Sequence, residues 1–134
     1  MNPEIGAEAS AELVVSEPDL ATFVGQRTTD GFPPVFATAR MVALMELAAS
    51  RVLHPFLTDG QVSVGVTVDI AHTAATPRGA SVVAEARFTG TEGKFYVFDV
   101  VARDPGGEIG RGTHKRAIVS IDRLVTGASR RCPT

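Results

Sequence analysis

The chain has 134 residues, 44% of them hydrophobic and 21% charged, with a formal net charge of −2. That length fits one domain with a single core, and the balance excludes a disordered chain. The charge, without any Lys/Arg run, excludes the electrostatic footprint of a nucleic-acid binder. The single cysteine, Cys132, stands in a polar tail, so no intrachain disulfide framework or metal quartet is expected. MNPEIGAEASAE has neither a basic nor an apolar signal region, and no segment approaches the roughly 20 apolar residues of a membrane span. A soluble, cytoplasmic protein is expected.

Residues 1–10 read as a flexible leader, 11–125 as the folded domain and 126–134 as a flexible tail. Glu12–Ser16 predicts a short first strand, ended by Pro18. Gly25–Pro34, with two glycines and two prolines, predicts a loop long enough for a lid. Val35–His54 is rich in strong helix formers without internal Gly or Pro, and Pro55 marks its end. It is apolar nearly all round, so it predicts a helix that something wraps. Val62, Val64, Val66, Val68 and Ile70 alternate with Ser63, Gly65, Thr67 and Asp69, the period of a strand. Further strands follow at Val82–Phe88, Phe95–Ala102 and through Ala117–Leu124. They are separated by the turn signals of Gly90–Gly93 (GTEG) and Asp104–Gly107 (DPGG). Gly110 and Gly112 suggest a bulge or a close backbone approach.

Three polar side chains stand where core segments should be apolar. Thr38 opens the helix, Glu46 is a carboxylate within it, and His72 ends the valine strand. A hydroxyl, a carboxylate and an imidazole near one apolar element are the raw material of acyl transfer or hydrolysis. Each also has a plainer role: Thr38 as a helix cap, His72 as a structural strand-end histidine, Glu46 as a solvated edge residue. In the same way Gly65 reads as a packing or bulge glycine, Arg116 as a surface charge and Phe32 as core.

One strand, one long buried helix and four antiparallel strands make an α+β layer architecture that matches the hot-dog fold. FPPVFAT (Phe32–Thr38), MVALMELA (Met41–Ala48), HTAATP (His72–Pro77) and GTHKRA (Gly112–Ala117) resemble the fluoroacetyl-CoA thioesterase family of hot-dog enzymes. The likeness spans about residues 10–124. It implies an acyl-CoA thioesterase that works without a cofactor, with the coenzyme A thioester as substrate. It also implies a catalytic Thr38–Glu46–His72 set, with Gly65 and Arg116 near the acyl group and Phe32 in a lid. The chain departs from the family in that lid, where Thr29 stands near the place of a second aromatic.

The rivals are a hot-dog acyl-CoA hydratase or dehydratase and a non-catalytic acyl-CoA binding module. Whether Thr38 is the nucleophile, and whether Glu46 orients His72, acts as base or attacks, stays open. Spacing adds a constraint of its own. Eight helical residues separate Thr38 from Glu46 by roughly 12 Å if both lie in one helix. Gly65 and His72 are roughly 23 Å apart along a straight strand, and on opposite faces unless a bulge intervenes. Both distances point to a site at the interface of a homodimer. No metal-ligand spacing, nucleic-acid partner or membrane partner is indicated.

Overall fold

The computed structural model describes residues 1–133. Five antiparallel strands form one sheet: β1 (Glu8–Val14), β2 (Gln61–His72), β3 (Ser81–Glu92), β4 (Phe95–Asp104) and β5 (Gly107–Ser120). Their spatial order is β1-β3-β4-β5-β2, so β2 is an edge. The long helix α2 (Thr38–Leu53), preceded by the one-turn helix α1 (Ala21–Val24), lies across the sheet against β3 and β1. This is the hot-dog arrangement read from the element order.

The packing follows from residue size. Met41, Leu44, Met45, Ala48, Ala49, Val52 and Leu53 are the buried face of α2. They meet Val82, Ala84 and Ala86 of β3 and Phe98, Val100 and Ala102 of β4, all buried. Alanines beneath the helix let it approach closely, and each large side chain so buried contributes about 1.5–3 kcal/mol. The opposite face of α2 is not enclosed. Ala39, Arg40, Leu47 and Arg51 are exposed, so the expectation of a fully wrapped helix holds for one face only.

Glycine makes the sheet fit the helix. A Cβ on Gly110 would stand 2.7 Å from the Met41 side chain, and one on Gly112 would run into the Asp69 carbonyl of β2. A register shift between β4 and β5 lies beside Gly110, between Ala102 and Arg103. Close approach and bulge, offered as alternatives from the sequence, therefore occur together.

Several boundaries differ from expectation. The first strand begins at Glu8, inside the stretch read as a leader. Gly6 N–H donates to the Phe88 carbonyl and Phe88 N–H to that of Ala7, which carries the pairing back to Gly6. The β3–β4 hairpin turns at Gly93–Lys94, because Gly90 stays in β3, paired with Val97 just past a bulge at Thr89. Residues 121–131, divided above between the last strand and the tail, form helix α3 (Ile121–Arg131). Ser120 caps it, its hydroxyl accepting from Arg123 N–H at 3.3 Å, and local capping is the physical reason the strand ends there. No helix among the described residues is long and apolar enough to cross a membrane.

Candidate active site

Thr38 is the first residue of α2 and His72 the last of β2, and the chain brings their side chains together. Thr38 Oγ1 lies 2.7 Å from His72 Nδ1. Thr38 is not a helix cap: the capping position belongs to Ala37, which has no side-chain bond to offer. The first-turn amides of Thr38 and Ala39 consequently have no helical acceptor. On the other side of the imidazole, His72 Nε2 is buried without a hydrogen-bond partner among the described residues.

The backbone on both sides of this pair is pinned. Phe36 N–H donates to the Thr76 carbonyl and Ala37 N–H to that of Asp19. The buried Thr76 hydroxyl donates to Asp104 at 2.7 Å, and Thr73 N–H to the Ile109 carbonyl, so HTAATP is a fixed loop. Asp19 in turn accepts from Ser16 N–H, the Ser16 hydroxyl and Arg40 Nε, at 2.9–3.0 Å. Burial alone would raise its pKa, but those bonds and the arginine charge outweigh burial and hold the carboxyl below its ordinary value.

Thr38 and His72 open onto a cavity of about 530 Å³ whose other walls include Val24, Phe32, Val35 and Phe36. Its walls are mainly apolar, with few polar groups, as befits a small acyl ligand. Phe32 is half open to solvent (47%) at its rim, not core. Thr29 lies in a short turn of 3-10 helix (Thr28–Asp30) in the same loop.

Glu46, Gly65 and Arg116 form a second group. Glu46 lies two helical turns beyond Thr38 on the same helix and is not joined to it. Arg116, only 6% exposed, is held on several sides. Its Nε donates to Ser63 Oγ at 3.0 Å and its Nη2 to the Ser63 carbonyl at 2.8 Å. Its Nη1 lies 3.2 Å from both Glu46 Oε2 and His114 Nε2. Gly65 makes room for the carboxylate: a Cβ there would stand 2.5 Å from Glu46 Oε2.

The bulge foreseen as a condition is present. The β2–β5 register shifts between Gly65 and Thr67, leaving Val66 unmatched. Gly65 opposes Arg116 and His72 opposes Gly110, so both face the helix side of the sheet. One chain thus carries Thr38–His72 at one end of β2 and Gly65–Glu46–Arg116 toward the other.

Sequence reasoning passed over two members. They are His114, 1% exposed, and Ser63. The signal for His114 was its alternation with Arg116, Gly112 and Gly110, which puts one imidazole on the inward face of the strand between an arginine and two glycines. Burial is the main influence lowering the pKa of His114, with the Arg116 charge acting the same way against the Thr67 carbonyl and Glu46. Among the described residues, no group of three or more His, Cys, Asp or Glu is placed to hold a metal.

Residues 15–122 match the family described as fluoroacetyl-CoA-specific thioesterase. A fluoroacetyl-CoA thioesterase of Streptantibioticus cattleyicolor is 40% identical over 102 residues, covering 76% of this chain and 73% of that protein. A solved structure of a fluoroacetyl-CoA thioesterase variant in complex with fluoroacetate superposes with a TM-score of 0.91 at 32% identity, over 97% of this chain and 99% of that one. A thioesterase superfamily member from Thermus thermophilus gives 0.86 at 32% identity, over 98% of this chain and 95% of the other.

Proposed function

The chain belongs to the fluoroacetyl-CoA-specific thioesterase family of thioester hydrolases, and from that premise we propose that it cleaves a short acyl-CoA to the free acid and CoA at Thr38, His72 and Glu46. The observation that carries this reading is the 2.7 Å contact between Thr38 and His72 at the wall of an apolar cavity. The thioester carbonyl binds with its oxygen toward the first-turn amides of α2, where donors and the helix dipole favour developing negative charge. The Thr38 hydroxyl donates to His72 Nδ1, loses its proton to that nitrogen and attacks the carbonyl carbon. The C–S bond then breaks, and the thiolate leaves with the proton His72 returns. Water activated by the same imidazole hydrolyses the acyl-threonine.

This cycle needs a carboxylate at His72 Nε2, the atom left without a partner. Glu46 of the same protomer is engaged with Arg116 at the far end of β2. Edge strand β2 carries exposed Val66 (41%) and Val68 (43%), and an unpaired apolar edge favours association. In our reading two copies pair β2 against β2 about a two-fold axis near the middle of the Gly65–His72 stretch. Gly65 and Glu46 of one copy then approach His72 of the other, and the homodimer has two composite sites. Arg116 and Gly65 would face the acyl group there, with Phe32 covering it.

Fluoroacetyl-CoA is the first substrate to try, with acetyl-CoA beside it, because Thr29 alters the lid that sets substrate fit. Free-thiol release from a panel of acyl-CoAs, with wild type and His72→Ala in parallel, tests the reading. Turnover that collapses in the variant supports it, and no thiol release from any acyl-CoA by the wild type overturns it.

A further inference from the structure

We infer that His114 is a positioning residue, holding the Arg116 guanidinium against Glu46 through the lone pair of its Nε2. The inference rests on the reading that Glu46 and Arg116 belong to the active site, which itself gives His114 no role.

The tautomer follows from its neighbours. His114 Nδ1 lies 2.8 Å from the Thr67 carbonyl, which only accepts, so Nδ1 carries the hydrogen. In the neutral ring Nε2 is then an acceptor, and the group facing it is Arg116 Nη1 at 3.2 Å, which only donates. The same Nη1 reaches Glu46 Oε2 at 3.2 Å. Ser63 occupies Nε and Nη2, so His114 and Ser63 together fix the plane of the guanidinium. The Thr67 carbonyl that anchors His114 lies just past the bulge, which ties the orientation of Arg116 to the same irregularity that turns Gly65 inward.

Protonation would replace the Nε2 lone pair with an N–H aimed at a guanidinium. The charged groups facing His114 are Arg116 on its own strand and Glu46 from α2; its partners across the sheet, Phe98 on β4 and Val68 on β2, do not titrate. Burial and Arg116 both keep the ring neutral, and only the neutral ring can hold Arg116 this way.

Two conservative variants separate the two bonds. In His114→Gln a side-chain oxygen reaches the place of Nε2 and still accepts from Arg116. In His114→Asn the amide reaches the place of Nδ1 and still donates to Thr67, but Arg116 loses its acceptor. We expect the Asn variant to lose roughly 10- to 100-fold in kcat/KM for acyl-CoA hydrolysis and the Gln variant to stay within about threefold of wild type. Equal loss in both, or none in the Asn variant, overturns the inference. If Glu46→Gln abolishes turnover while His114→Asn does not, the site reading stands and the His114 role falls. Nitrogen NMR of the wild-type imidazoles is independent of activity and of variant folding: a neutral Nδ1–H form of His114 at pH 7 is expected. An Nε2–H tautomer or a charged ring would overturn the inference even if the chain released no thiol at all.

Discussion

Glu46 stands eight residues beyond Thr38 on α2, about 12 Å along the same rigid helix, and it bonds to Arg116 while Thr38 meets His72. A helix cannot fold back to close that distance. The two ends of β2 must come from different copies for all three groups to meet, and this gives a direct test by mixing. Thr38→Ala and Glu46→Gln should each be inactive alone. Refolded or co-expressed together, they form mixed dimers in which one site has all its groups, so activity should return to about a quarter of wild type under random pairing. No recovery in a demonstrated mixed dimer would mean that each site is built within one chain.

Thr38 neither caps the helix nor fills the core, so its hydroxyl can be removed without much loss of stability. Thr38→Ala should reduce kcat by roughly 10²–10⁴ while the thermal midpoint barely moves. Thr38→Ser should keep most of the rate. A Thr38→Ala enzyme with wild-type kcat would take the nucleophile role away from this residue and leave water as the attacking oxygen.

The two glycines of the β2–β5 pair fail for different reasons. At Gly65 a methyl group meets the end of a flexible side chain, Glu46 Oε2. Gly65→Ala should therefore cost about 1 kcal/mol in stability, and its larger effect should be on turnover, through the displaced carboxylate. At Gly112 the obstacle is backbone, the Asp69 carbonyl. Gly112→Ala should destabilise by about 3 kcal/mol or more. Urea midpoints and kcat for the pair would check this; a stable Gly112→Ala protein would contradict the close approach of β2 and β5.

His114 also predicts a pH dependence of stability. Its folded pKa lies below the ordinary value of 6.5, because burial penalises the charged ring and Arg116 adds to that. Below pH 6.5 the unfolded chain binds a proton that the folded chain refuses, so the contribution is complete above 6.5 and is lost as pH falls through the folded value. Unfolding free energy should thus decline from pH 7 toward pH 5 more steeply in the wild type than in His114→Gln. Parallel curves for the two proteins would show that His114 does not carry the effect.

Much of this is legible in the sequence. The valine alternation, the Gly and Pro turn signals and the uninterrupted helix former run set the order of elements, because each depends on residues close in sequence. Helical rise alone separated Thr38 from Glu46. What stayed hidden depends on residues brought together from afar: the alanines of β3 that seat α2, and the pairing of Arg116 with Ser63 and Glu46. Helix α3 was hidden differently. Its Val125, Thr126 and Gly127 are poor helix formers, and the Ser120 cap that starts it sits at the end of a convincing strand. His114 was visible as an inward position, but one histidine on a strand says nothing of its tautomer until Thr67 and Arg116 flank it.

The unmatched Val66 gives the stretch from Gly65 to His72 an arithmetic of odd and even. Loops accept gains and losses of single residues because nothing downstream depends on their phase. Here Val66 is the spare residue: its loss would leave Gly65 and His72 an even step apart and on one side. A residue lost between Thr67 and His72, with the bulge kept, would turn His72 away. Removal of two with the bulge kept would shorten the strand and leave the phase unchanged. A lone deletion should accordingly be tolerated at this edge where it takes away the bulge, and should part the glycine niche from the imidazole where the bulge remains.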